Sequence, residues 1–303
     1  MQQIIKLNMQ FGITDQLTFE TGEGNRVFIH VVNEFADAHL SLQGAQLLSW
    51  KPRFCSDDVI WVSEKAVYSG GRSIRGGIPV CWPWFGAHPT EETFPAHGFA
   101  RGQSWKMVET KALPDGRTFL ALRLSQETIS SEYKINGADL ELQIIIGEKL
   151  EMSMVTMNSS EKQITIGGAF HTYFNVSDIQ NVLIQGLEGQ TFIDTLDDWQ
   201  RKKEDGSIRI SGEIDRIYYD SPDIESIIED KGLGRRIKVK KKGSHSTVVW
   251  NPWIDKSERM GDMGIDGYRT MVCVETTNAA DDVLTIEPGG EHRLAVCYEV
   301  ESL

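Results

Sequence analysis

Two residues far apart in the chain could move protons. His171 sits in Ala169-Phe170-His171-Thr172-Tyr173-Phe174, and Glu275 sits in Met271-Val272-Cys273-Val274-Glu275-Thr276. Strand alternation places Ala169, His171 and Tyr173 on one face. A glutamate ending an apolar strand costs free energy if buried without a partner or a task, so Glu275 is a candidate general base. Taken alone, either residue type is structural more often than catalytic. Glu287 in Thr285-Ile286-Glu287-Pro288-Gly289-Gly290 is a rival base, ranked lower because Pro-Gly-Gly marks a hairpin turn.

A second group of candidates lies in GGRSIRGGIPVCWPWFGAHPTEETFPAHGFARG, residues 70–102. Gly71-Arg72-Ser73-Ile74-Arg75-Gly76 matches GxxxxG, but Gly77-Ile78 follows where a nucleotide loop needs Lys and Ser or Thr. The glycines still let backbone approach a ligand closely. Arg72 or Arg75 could then offer a planar fork to a carboxylate or phosphate, or could be an ordinary ion-pair residue. His88 and His97 join His171 as scattered histidines, without HExxH or paired-cysteine spacing, which is weak support for zinc. Trp82, Trp84 and Phe85 flank Pro83, and Trp250 and Trp253 stand in VVWNPW. These rings suit stacking on sugar C–H faces and suit a core equally well.

The elements that must hold these groups read as strands. RVFIHVVN, HLSLQ, DVIWVS, SWKMVE, FLALRLS, DLELQIII, KLEMSMVTM, QITIGGAFHTYF, NVLIQGL, SIRIS, IKVKKKG, STVVW, TMVCVET and HRLAVCYEV all follow a period of two. Turns are expected at Pro114-Asp115-Gly116, Asn136-Gly137, Asp205-Gly206 and Pro288-Gly289-Gly290. One short helical turn is expected over residues 255–263. The pattern predicts an all-β fold of large antiparallel sheets packed face to face, with residues 1–303 as one domain. The basic run Arg235, Arg236, Lys238, Lys240, Lys241 and Lys242 alternates with Ile237 and Val239, the pattern of an edge strand protected by lysines.

The 303 residues carry a net charge of -13, which argues against nucleic acid or an anionic membrane as partner. An anionic substrate would therefore need a local basic pocket. The N-terminal stretch lacks the pattern of a signal peptide, and no apolar run approaches the roughly 20 residues of a membrane span. The four cysteines, Cys55, Cys81, Cys273 and Cys297, form no CxxC pair and read as buried free thiols of a cytoplasmic protein.

IRGGIPVCWPWFG followed by AHGFARGQSW resembles the aldose 1-epimerase superfamily, and within it the branch of D-hexose-6-phosphate mutarotases. FHTYFNVSDI, IDRIYYD and VVWNPW…DGYRTMVCVET agree in order, so the resemblance covers roughly residues 44–277. It implies a galactose mutarotase-like β-supersandwich. It also implies an isomerase that interconverts the α and β anomers of a hexose 6-phosphate, foremost glucose 6-phosphate, without a metal or organic cofactor. The family's catalytic histidine and glutamate fall on His171 and Glu275, and a second ring-side histidine on His97. Its substrate-binding aspartate falls on Asp215, and the arginines that contact the ligand and its phosphate fall on Arg75 and Arg101. Ala96 stands where relatives often carry glutamine, so that substrate contact is missing or made by backbone. The implied partner is a small sugar phosphate, with no nucleic acid and no membrane. The competing readings are a noncatalytic carbohydrate-binding sandwich and a sandwich-fold glycoside hydrolase or lyase. A hydrolase usually needs two carboxyls at the bond, and only Glu275 has a strong claim.

Overall fold

In the strand Ala138–Ile146 every second side chain is buried, from Ala138 through Leu140, Leu142 and Ile144 to Ile146. This alternation, repeated in its partner Leu150–Asn158, turns one face of a sheet toward the core. The computed structural model describes residues 1–124, 133, 137–219 and 224–303. Asn136 of one expected turn, Ser125 of FLALRLS and Asp220 of the IDRIYYD motif lie outside the described residues.

Two antiparallel sheets of eight strands dominate. The first runs Val182–Gln185, Ser226–Asp230, Arg235–Lys242, Glu291–Ser302, Leu150–Asn158, Ala138–Ile146, Thr118–Leu124 and Lys106–Ala112. The second runs Gln200–Lys203, Thr191–Asp194, Ile214–Tyr219, Ser246–Asn251, Met271–Asn278, Gly168–Phe170 and Val80–Cys81, with Tyr173–Asn175 also paired to Met271–Asn278. A four-stranded sheet, Leu17–Thr21, Val27–Val32, Ala36–Ser41 and Gln46–Pro52, and a two-stranded ribbon complete the described strands. One buried apolar cluster takes residues from all three large sheets, including Trp50, Leu142 and Val274. Among the described residues, no helix is long and apolar enough to cross a membrane.

Several expectations need correction. The basic strand Arg235–Lys242 is interior, flanked by Ser226–Asp230 and Glu291–Ser302. Cross-strand pairing answers its charge, with Arg236 on Glu229, Lys238 on Glu301 and Lys240 on Glu225 and Glu299. DVIWVS and SIRIS form single bridges instead of strands. The short helix is Trp253–Met260, ending at Gly261 with positive φ. A helix over Gln2–Phe11 was not expected. It is fastened by Asn8, whose side chain donates to the Phe19 carbonyl at 2.7 Å and accepts from the Phe19 N–H at 2.8 Å. Cys81 and Cys273 are buried, whereas Cys55 and Cys297 are only half-buried.

Candidate active site

The strand Met271–Asn278 is buried at all eight positions, because both of its faces are covered. Val272 and Val274 join the main core, while Met271 and Cys273 join a smaller cluster on the other side with Trp61, Tyr173, Ile217, Val248 and Trp250. Glu275 shares that second face by the period of two. Register carries the face across the sheet. Asp215 pairs with Trp250 and Trp250 with Cys273, while Ile217 pairs with Val248 and Val248 with Glu275. Tyr173 pairs with Cys273 from the other side. A cavity of about 700 Å³ opens over these rows. Its walls include Arg75, His97, Arg101, His171, Asp215 and Glu275.

Six of the seven site residues that the resemblance implies therefore meet in one place. His171 Nδ1 lies 3.4 Å from Glu275 Oε1 and 3.7 Å from Cys273 Sγ. Its ring stacks on Tyr173 at 4.9 Å. No hydrogen bond involves His171 Nε2 among the described residues, which leaves that nitrogen for the cavity. His97 Nδ1 accepts the Gly86 N–H at 3.3 Å, and the His97 N–H donates to the Gly86 carbonyl at 2.7 Å. With Nδ1 occupied as an acceptor, the neutral ring carries its proton on Nε2. His97 and Gly98 both have positive φ. A Cβ at Gly98 would stand 2.0 Å from the Trp82 carbonyl oxygen, so only glycine permits this return of the loop.

The seventh residue, Ala96, is exposed and lies outside the residues lining the cavity. Its carbonyl accepts from Arg101 Nη2 at 2.9 Å, so its backbone positions an arginine. Arg75 is held more tightly. Nε and Nη2 donate to the two carboxylate oxygens of Asp262 at 3.0 and 3.4 Å, and Nη1 donates to the Tyr173 hydroxyl at 3.1 Å. Arg75, Arg101 and Tyr173 also line a second cavity of about 370 Å³, together with Arg72 and Ser73. The three side chains thus form a wall shared by two adjoining spaces.

The candidate sugar-stacking aromatics divide. Trp82 and Trp84 belong to the core, with Trp82 Nε1 donating to Thr156 and Trp84 Nε1 to the Pro95 carbonyl. Phe85 and Trp250 line the larger cavity. Sequence reasoning missed Trp199, Lys256 and Cys273 near the site. Lys256 had no signal beyond its place on an expected helical turn. Cys273 could have been found by counting two residues back from Glu275.

Burial sets the electrostatics. Glu275 is 1% exposed and its Oε2 has no hydrogen-bond partner among the described residues. Burial first, then the nearby Asp215 carboxylate, pushes its pKa well above the ordinary carboxylate range, against a smaller pull from Arg101. Burial also pushes His171 well below the usual imidazole value, helped by His97, Arg101 and Arg75. His97 falls to about 3 through burial and the same two arginines. Asp215 is raised chiefly by burial. Both members of the His171–Glu275 pair therefore favour their neutral forms, with the shared proton on the carboxyl. His171, Cys273 and Glu275 also hold ligand atoms within 4.8 Å of one another. Burial raises the Cys273 thiol well above its ordinary value, which keeps it protonated and a weak metal ligand.

This arrangement predicts a stability effect. Because the folded pKa of Glu275 is raised, its stabilising contribution is complete below the ordinary carboxylate range and is lost as pH rises through the folded value. His171, being lowered, contributes above its ordinary range and loses that contribution as pH falls. Glu275→Gln should therefore melt above wild type at about pH 8, by roughly 1.5 °C per kcal/mol of relieved desolvation cost. The gap should close toward about pH 4, as calorimetry at both pH values will check.

The aldose 1-epimerase family model matches residues 28–299. A protein of Escherichia coli (strain K12) named "Putative glucose-6-phosphate 1-epimerase" is 38% identical over 245 residues, 80% of this chain and 80% of that one. A protein of the same name from Cenchrus ciliaris is 33% identical over 265 residues, 84% of this chain and 79% of that one. The crystal structure of "a putative mutarotase" from Salmonella typhimurium superposes with a TM-score of 0.88 at 33% identity, covering 97% of this chain and 96% of the other. The antiparallel sheets, the residues gathered at the cavity and these likenesses agree: the chain belongs to the aldose 1-epimerase family of sugar isomerases.

Proposed function

We propose that this isomerase interconverts the α and β anomers of a hexose 6-phosphate, glucose 6-phosphate foremost, by acid–base ring opening and closure. The observation that carries the reading is the wall of Arg75, Arg101 and Tyr173. It separates a cavity holding the acid–base pair from a smaller one lined by arginines. A sugar ring in the first space places a phosphate within reach of two guanidinium groups, which suit a dianion. The names of the relatives support the same substrate class.

In the proposed reaction Glu275 removes the proton of the C1 hydroxyl while His171 delivers one to the ring oxygen. The C1–O5 bond breaks, the aldehyde turns about C1–C2, and closure from the other face reverses both transfers. The 3.4 Å contact lets the resting proton pass from Glu275 to His171, producing the carboxylate and imidazolium this step needs. Arg75 and Arg101 disfavour that imidazolium. A bound phosphate dianion would offset them, coupling substrate binding to acid formation. His97 donates its Nε2 proton near the ring oxygen, and Asp215 accepts from sugar hydroxyls. The same reading takes residues 1–303 as one domain, supported by the buried cluster that joins its three large sheets.

Saturation-transfer NMR on glucose 6-phosphate tests the proposal. Catalysed exchange between the anomer signals is expected above the rate in buffer alone. Binding with exchange at the spontaneous rate would leave the noncatalytic carbohydrate-binding reading instead.

A further inference from the structure

Outside the candidate active site, the four-stranded sheet gathers His30, Asp37 and His39. His30 and His39 are direct cross-strand partners, and Asp37 precedes His39 by two residues, so all three share a face. Their ligand atoms lie within 4.8 Å of one another. His30 Nε2 is 3.2 Å and His39 Nδ1 3.6 Å from the same oxygen, Asp37 Oδ1. Donors held about 2.0–2.1 Å from one tetrahedral zinc ion stand about 3.4 Å apart. Both nitrogens are thus already at ligand-to-ligand spacing from the carboxylate.

The two imidazoles stack at 3.9 Å with 14° between their planes. Sharing one ion requires each ring to turn so that its lone pair converges beside Asp37. That turn uses χ2, a broad torsion for histidine. The side chains keep 29% (His30), 36% (Asp37) and 38% (His39) of their surface exposed, which admits an ion and a water as fourth ligand. Ser49 Oγ, 3.3 Å from His39 Nδ1, borders the same space. The Glu20 carboxylate on the neighbouring strand adds negative charge near His39. Two imidazoles and one carboxylate suit first-row divalent transition metals, whereas calcium and magnesium prefer oxygen ligands.

We propose that His30, Asp37 and His39 form a binding site for a divalent transition metal of the zinc class, separate from the candidate active site. The ion ties the strand Val27–Val32 to Ala36–Ser41 and has no part in proton transfer at the sugar.

Calorimetric titration of zinc chloride into the chelator-treated full chain tests the site. Wild type is expected to bind one ion with a dissociation constant on the order of 1–10 µM, weaker than a four-ligand structural site. The double variant His30→Ala/His39→Ala should bind at least about 10-fold more weakly, with anomer exchange unchanged. The single variant Asp37→Asn, a milder change, should also weaken binding, which keeps the test decisive if the double variant folds poorly. His171→Asn should bind zinc as wild type does. The proposal is overturned if wild type binds no zinc at about 100 µM. Binding that survives the sheet variants and disappears in His171→Asn would overturn it too, by assigning the ion to the active-site cluster.

Discussion

Glu275→Gln should exchange anomers about 10²- to 10⁴-fold more slowly than wild type, with its fold unchanged. The amide keeps the size of the side chain and removes its capacity to take a proton. In free energy the loss is roughly 3–5.5 kcal/mol of barrier. His171→Asn should fall by a similar factor, because in the proposed reaction the proton lost from the C1 hydroxyl and the proton gained at O5 belong to one step. The double variant should be little worse than either single one, as groups acting as a unit are strongly non-additive. Saturation-transfer rates with circular dichroism as the folding control decide the matter. Near-normal exchange in both single variants would remove the assignment.

Arg101→Ala should lower kcat/KM for glucose 6-phosphate by about 10- to 150-fold, corresponding to one charge-assisted hydrogen bond of roughly 1.5–3 kcal/mol. Activity on free glucose should change little. Arg101 is the cleaner of the two arginines to remove. Among the described residues its side chain makes one hydrogen bond, to the Ala96 carbonyl. Arg75→Ala would also strip Asp262 and Tyr173 of their partner, mixing lost recognition with lost stability. Competition between the two sugars measures the selectivity directly. Equal preference in wild type would remove the phosphate and leave mutarotation standing.

Much of this site was legible because period-two alternation survives translation into three dimensions. Ala169, His171 and Tyr173 were expected on one face of one strand; His171 instead falls in the break between Gly168–Phe170 and Tyr173–Asn175, yet its ring still stacks on Tyr173 at the cavity. What alternation alone leaves open is the partner across the sheet. The resemblance supplied Asp215 and Arg101, and register brings Asp215 into line with Trp250 and Cys273. The Arg75–Asp262 pair stayed hidden because an ion pair between distant residues leaves no local pattern. The helix Gln2–Phe11 was illegible for a related reason. It has no side-chain cap, no acid in its first turn and no base in its last, and it depends on Asn8 meeting Phe19. The basic strand misled because alternating lysines mark an edge only when no acidic neighbours stand opposite, and here Glu225, Glu229, Glu299 and Glu301 do.

Glu275 rides on a strand hydrogen-bonded to neighbours on both sides and covered above and below. That ladder fixes the backbone from which the carboxylate faces the cavity. If it is the base and a hexose 6-phosphate is the substrate, the catalyst's backbone is fixed and the sugar is the moving part, pivoting about its own C1–C2 bond while its phosphate stays tethered. Turnover would then be governed by how freely the opened chain rotates in its chamber, so side chains that merely crowd that chamber, such as Phe85 and Trp250, would act as its brakes.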